Sequence, residues 1–212
     1  MDPTIYNKIK NIFESNNGYA RTKDILEADI HSSHLYKLQD EGKISRIKRG
    51  LYRWDDDEFN TSTELIEVSN IVPNGVICLL SALSYYDLTT TNPCKYYIAI
   101  HRDEHRPKLP DYPSISIFYF ADKQFNTGIK EVNIEGSKVK IYDKEKTICD
   151  CIRLRNKVGT DVVKEAMQNY LKRMDKNISK LLEYAEVTGV KNIVKRYLEV
   201  LVWVVSASIK EN

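Results

Sequence analysis

Gly42-Lys43-Ile44-Ser45-Arg46-Ile47-Lys48-Arg49-Gly50-Leu51-Tyr52-Arg53-Trp54 decides how this chain is read. The stretch carries Lys43, Arg46, Lys48, Arg49 and Arg53 and no acid. Gly50 divides two short runs rich in β-branched and aromatic residues, Ile44 to Ile47 and Leu51 to Trp54. That pattern predicts a tight β-hairpin in which Gly50 supplies the positive φ of a short loop. A hairpin with a basic tip, directly after helices, is the order of a winged helix-turn-helix. Lys48 and Arg49 at the tip, with Arg46 and Arg53 beside them, stand where they meet phosphates, and the helix before the hairpin is placed to enter a major groove. The competing reading is a solvated hairpin whose cations only aid solubility.

The residues upstream fit the first reading. Pro3 to Phe13 has apolar Ile5, Ile9, Ile12 and Phe13 near helical spacing, with Pro3 in the first turn and Asn16-Asn17-Gly18 as the stop. Thr22 is a candidate N-cap for a short second helix holding Ile25 and Leu26. A third helix runs from about Ser32 to Glu41, with Leu35 and Leu38 facing inward and Gly42 closing it. It is the candidate recognition helix, and Ser32, Ser33, Tyr36 and Lys37 are its candidate groups for bases or phosphates. On its own such an outer face is ordinary solvated surface; the basic wing beside it gives it weight.

The whole chain has 212 residues, 42% hydrophobic and 29% charged, with a formal net charge of +2. It is no polycation, so any nucleic-acid contact must come from a local patch. Residues 1–54 hold ten Lys and Arg against seven Asp and Glu, and the remainder is close to neutral. Asp55-Asp56-Asp57-Glu58 marks the seam, giving a division into 1–57 and 58–212. The four cysteines, Cys78, Cys94, Cys149 and Cys151, form no Cys-x-x-Cys pair and are read as free thiols in a reducing compartment. With no signal-peptide pattern and no apolar run approaching the ~20 residues of a spanning helix, the expectation is a soluble, cytoplasmic protein without membrane association.

Beyond the seam, Phe59 to Ile71 reads as helix, and Val76 to Leu88 packs many apolar groups. Strand candidates follow at Tyr96 to Ile100, Ser114 to Phe120, Val132 to Glu135 and Lys138 to Tyr142, the last two joined by a turn at Gly136-Ser137. Helices are expected at Glu145 to Asn156, Asp161 to Arg173, Ile178 to Thr188 and Asn192 to about Ser208. The fold class is α+β: an N-terminal winged helix-turn-helix, then a mixed domain with a small sheet and a helical tail.

Enzyme signatures are scarce. The glycines form no phosphate loop, there is no His-Glu-x-x-His, and the one Asp/Glu-x-Lys triplet, Glu41-Gly42-Lys43, sits between helix and wing rather than on a strand behind an upstream acid. His31 with His34 and His101 with His105 are histidine pairs without an obvious third ligand, so no metal, cofactor or catalytic residue is assigned. In Glu145 to Arg155, Ile148, Cys149 and Ile152 form a buried stripe. Lys146, Asp150, Arg153 and Arg155 are left for other faces, as a solvated surface or an interaction surface.

Several pieces together resemble the AbiEi family, antitoxins of bacterial type IV toxin–antitoxin and abortive-infection systems. They are the wing from Ile44 to Arg53, Leu79-Leu-Ser-Ala-Leu-Ser-Tyr-Tyr-Asp-Leu88, the strand Tyr96 to Ile100, and Val139-Lys-Ile-Tyr-Asp-Lys-Glu-Lys-Thr-Ile-Cys-Asp-Cys-Ile-Arg153. Leu181 to Ala185 and Tyr197 to Val205 match in composition only. The resemblance implies a non-enzymatic, two-domain antitoxin. Its first domain would bind inverted repeats in its own promoter as a repressor. Its second would counter a nucleotidyltransferase-like toxin without a stable complex, and Lys146, Asp150, Arg153 and Arg155 are the candidate antitoxin surface. The alternative is a winged-helix transcriptional regulator that responds to a ligand through its α+β domain. An enzyme with an unfamiliar active site is the third reading.

Overall fold

In the computed structural model the described residues are 1–55 and 64–210, with side chains to Val200. Helix α1, Pro3–Ser15, starts where Asp2 accepts a hydrogen bond from the Thr4 amide at 2.7 Å, and Pro3 fills a first-turn position that needs no N–H. Asn17 (φ 51°) and Gly18 (φ 83°) turn the chain back, with the Gly18 amide donating to the Phe13 carbonyl at 2.8 Å. A strand that the sequence pattern did not show, β1 (Tyr19–Arg21), comes next. Helix α2, Thr22–Glu27, begins at Thr22 rather than being capped by it: the Asp24 carboxylate accepts the Arg21 amide at 2.7 Å. Helix α3 spans Ser33–Asp40, and the hairpin is β2 (Ile44–Lys48) and β3 (Leu51–Trp54), with Gly50 at φ 80°.

These strands form one antiparallel sheet in the order β1-β3-β2. The core beneath it includes Ile9, Phe13, Ile25, Leu35 and Leu38, all 0% exposed, with Trp54 edge-on to Phe13 at 5.2 Å. Each such side chain contributes about 1.5–3 kcal/mol of transfer free energy. Helix order, strand order and hairpin are those of a winged helix-turn-helix, so that expectation holds.

Among the described residues the chain forms two compact units. The first takes those of Met1–Asn74, Arg106–Ile115 and Glu131–Val139, and the second takes the others. The first unit therefore includes α4, Glu64–Ile71. The helix start expected at Phe59, and residues 56–58 of the acidic cluster, lie outside the described residues.

A five-stranded sheet orders as β6-β5-β4-β8-β7, from β4 (Val76–Ile77), β5 (Tyr96–His101), β6 (Ile115–Phe120), β7 (Ile129–Ile134) and β8 (Ser137–Tyr142). β4 runs antiparallel to β5 and parallel to β8. Four of these strands match the alternation in the sequence. β4 has only two residues, too few to alternate. The β7–β8 turn centres on Glu135 and Gly136, at φ 47° and 84°, as a two-residue hairpin loop of mirror-image type requires.

The helices of the second unit are α5 (Leu79–Tyr85), α6 (Asp122–Asn126), α7 (Lys144–Arg153), α8 (Arg155–Val158), α9 (Thr160–Lys172), α10 (Ile178–Val187) and α11 (Lys191–Lys210). The helix expected from Glu145 to Asn156 is broken at Leu154 into α7 and α8. Helices α5, α9, α10 and α11 all pack on α7, so it is the central helix of its unit. The mixed α+β class is as expected.

Candidate nucleic-acid interface

Leu35 and Leu38 anchor α3 from below at 0% exposure, which turns Ser33, Tyr36, Lys37 and Asp40 outward. Tyr36 is 56% exposed, a large aromatic on a short polar helix. Ser33 Oγ lies 2.8 Å from His31 Nδ1, and Ser32 is half-buried at the helix start. The outer face of α3 is thus presented as the spacing predicts, with a hydroxyl, a phenol and an ammonium available.

The wing cations divide into two groups. Arg46 and Arg49 are exposed and have no hydrogen-bond or ion-pair partner among the described residues. Lys43 is exposed too; its ammonium lies 4.4 Å above the Tyr6 ring and 3.7 Å from Glu41. Arg53 instead reaches Glu67 at 3.4 Å and Asp55 at 3.5 Å. Lys48, expected at the tip on phosphates, instead turns inward and donates to the Ile71 carbonyl at 2.6 Å. A register shift between Arg46 and Lys48 explains that turn: the bulge sets Lys48 opposite the buried Leu51, on the covered side of the hairpin. Burial, and then the charge of Arg21, push the Lys48 pKa down from its ordinary value.

Arg21 shares the role. Its guanidinium donates to the Asn70 carbonyl at 2.7 Å. Asn70 and Ile71 close α4, so two cations from the winged helix satisfy terminal carbonyls of that helix, where positive charge is favoured. Glu67, on the same helix, accepts from the Tyr19 hydroxyl at 3.2 Å as well as from Arg53. Sequence reasoning missed this clasp, because its partners lie 14 to 49 residues apart along the chain.

The residues read as a charged face on α7 are arranged differently. Lys146 and Asp150 are both 0% exposed and ion-paired to each other inside the second unit. Asp150 also meets Arg153 at 3.3 Å. The Lys146 ammonium lies 4.2 Å from the Tyr142 ring centroid and Arg153 lies 4.6 Å from that of Phe120. Burial pushes the Asp150 carboxyl up, opposed by Lys146 and Arg153. The expectation that Lys146 and Asp150 belong to a surface is therefore corrected. A helix packed on several sides has no face left for solvent, and its pair sits among aromatics. Arg153 and Arg155 remain half-buried at the margin, with Arg155 donating to the Ile152 carbonyl at 3.2 Å. Close packing continues at Gly128 (φ 75°), where a Cβ would stand 2.6 Å from Cβ of Lys146.

Among the described residues, His101, Asp103 and Asp122 bring ligand-type atoms within 4.8 Å of one another. Both ring nitrogens are already engaged, Nε2 at 2.5 Å from the Asp122 carboxylate and Nδ1 accepting the Asp103 amide at 3.3 Å, so hydrogen bonding accounts for the group. His105, the expected companion of His101, is not part of it. Among the described residues no helix is long and apolar enough to cross a membrane.

Residues 7–53, from within α1 to the third residue of β3, match a family model described as "Transcriptional regulator, AbiEi antitoxin". The resemblance read from the wing is thereby borne out over the winged helix. None of the curated proteins matches the chain. The crystal structure of RV2827C protein from Mycobacterium tuberculosis is similar over 94% of this chain and 81% of that one, at 12% identity and a TM-score of 0.49.

Proposed function

We propose that the chain is a DNA-binding antitoxin that represses its own operon and counters a nucleotidyltransferase-like toxin without a stable complex. The observation that carries the DNA-binding part is the pairing of an outward α3 face with two arginines, Arg46 and Arg49, that nothing among the described residues neutralises. The family match over the same residues supports it. In this reading residues 1–57 hold inverted repeats in the promoter. Arg46 and Arg49 grip phosphates, Lys37 and Lys43 add to the field, and Ser32, Ser33 and Tyr36 orient α3 in the groove. Lys48 and Arg53 act indirectly, by fixing the hairpin on α4. Residues 58–212 carry the antitoxic action, by binding and not by catalysis, in the cytoplasm.

Co-expression tests this with full-length protein. The toxic neighbouring gene is induced with the wild type or with Arg46→Ala/Arg49→Ala, both antitoxin copies driven from an unrelated promoter. Growth rescue by both, with repression of the native promoter lost only in the variant, is the expected result. Failure of the wild type to rescue removes the antitoxin reading, and undiminished repression by the variant removes the wing assignment.

A further inference from the structure

A polar cleft of about 410 Å³ opens in the first unit. Three separate chain segments line it: Asn16 and Asn17 after α1, Ser69 and Asn70 near the end of α4, and Ser137 and Lys138 at the start of β8. Ile66 and Val139, each 1% exposed, supply its apolar lining. The volume falls within the ~300–1,000 Å³ of small-molecule sites. The segments are tied together: Asn17 Nδ2 donates to the Glu135 carbonyl at 3.3 Å and also to Ser137 Oγ.

The chemistry of the lining is one-sided. Carboxamides and hydroxyls both donate and accept, which suits a ring bearing several hydroxyl groups. Among the described residues Lys138 is the single charged one that lines the cleft. It is exposed and has no partner among the described residues. Among the described residues no acid lines the cleft. A smaller cavity shares Asn16 and Asn70 with this one and brings in Arg21, a second cation at the margin. We propose that the cleft binds a phosphomonoester carried on a hydroxylated ring, whether a sugar phosphate or a nucleoside monophosphate. The amides and serines hold the hydroxyls, and Lys138 meets the phosphate.

Such an occupant touches Ser69 and Asn70. The next atoms along α4 are the Asn70 and Ile71 carbonyls that Arg21 and Lys48 hold at 2.7 and 2.6 Å. The ligand therefore bears on the helix end to which the wing is fastened. This goes beyond the autorepressor reading, and ligand binding itself does not depend on DNA.

Isothermal titration of the full-length chain, without DNA, tests the site. The probes are ribose 5-phosphate, adenosine 5′-monophosphate, ribose and inorganic phosphate. At least one phosphomonoester is expected to bind one per chain with Kd below about 1 mM, and ribose and phosphate at least about tenfold more weakly. Tighter binding of the nucleotide identifies a nucleoside phosphate as the source, and equal or tighter binding of ribose 5-phosphate identifies a sugar phosphate. Lys138→Gln should weaken binding about tenfold, the loss of one charge-assisted hydrogen bond. Asn70→Ala, which removes one carboxamide that holds the ring hydroxyls, should also weaken it about tenfold. Thermal melting checks that each variant folds, and either folded variant decides. No binding by either phosphomonoester up to about 10 mM, or binding that a folded variant leaves unchanged, overturns the proposal. Since the titration contains no DNA, its failure and the failure of the autorepressor reading are separate results.

Discussion

The division of the wing cations makes a quantitative forecast. Arg46 and Arg49 are exposed without partners, whereas Lys48 is half-buried on the Ile71 carbonyl. Each phosphate neutralised adds about −0.9 to the slope of log K against log salt concentration. Arg46→Ala/Arg49→Ala should therefore make the slope shallower by about 1.8 for one protein on one half-site. Over a fourfold rise in salt, from ~50 to ~200 mM, the affinity advantage of wild type over variant should shrink about 12-fold. Lys48→Ala should leave the slope within about 0.3 of wild type. Its cost should appear instead as about 1 kcal/mol of lost stability, from the vacated carbonyl. The assay is fluorescence anisotropy on a labelled duplex from upstream of the gene, at four salt concentrations, with urea melts of the same proteins. A Lys48→Ala slope change as large as that of Arg49→Ala would refute the division, and so would an unchanged slope in the double arginine variant.

Four further outcomes follow from contacts described above. Lys146→Met strands Asp150 inside the second unit with Arg153 alone, and should cost about 3–5 kcal/mol in urea unfolding. The double change with Asp150→Leu should cost less than the sum of the singles, and additivity would dismiss the buried pair as an energetic unit. Native protein should react with Ellman's reagent at Cys94 alone, since Cys78, Cys149 and Cys151 are buried, and all four thiols should react in denaturant. Burial pushes the Cys149 thiol up to about 12 from its ordinary 9.0. The folded state thus keeps a proton that the unfolded chain loses. This contribution is fully present below about pH 9 and is lost progressively as pH rises through the interval to about pH 12. Cys149→Ala should flatten the alkaline fall by about 1.4 kcal/mol per pH unit, and an unchanged fall counts against the assignment. Glu67→Gln together with Asp55→Asn should free Arg53 from both its carboxylates and steepen the DNA salt slope by up to about 0.9; a slope that does not steepen places Arg53 away from the backbone of the DNA.

Much of the winged helix was legible because its signals are local. Gly50 lies between two β-rich runs, Leu35 and Leu38 are three apart, and Asn16 to Gly18 stop a periodic helix. What was missed depends on distance along the chain. β1 has three residues, and its partner β3 follows some thirty residues later, so neither length nor alternation announces it. Lys48 and Arg53 read as surface cations because, apart from Asp55 beside Arg53, the groups that hold them are distant in sequence. Their partners, Ile71 and Glu67, lie on a helix beyond the acidic seam. Lys146 and Asp150 show a subtler limit. A pair four apart on an amphipathic helix looks the same whether it meets water or aromatic rings. Only the helices packed around α7 distinguish the two cases.

The first unit is drawn from three stretches of chain, Met1–Asn74, Arg106–Ile115 and Glu131–Val139, and this sets a timetable for its birth. Polymerised at about 5–20 residues per second, the chain takes roughly 3–13 s to extend from Asn74 to Val139. During that interval the ribosome holds a winged helix whose hairpin core is already encoded but whose unit lacks its last segment. Asn17 has no Ser137 to bind, and the cleft has no Lys138. The first unit is thus completed only after most of the five-stranded sheet has been synthesised, so a message truncated before that point yields a winged helix without its cleft.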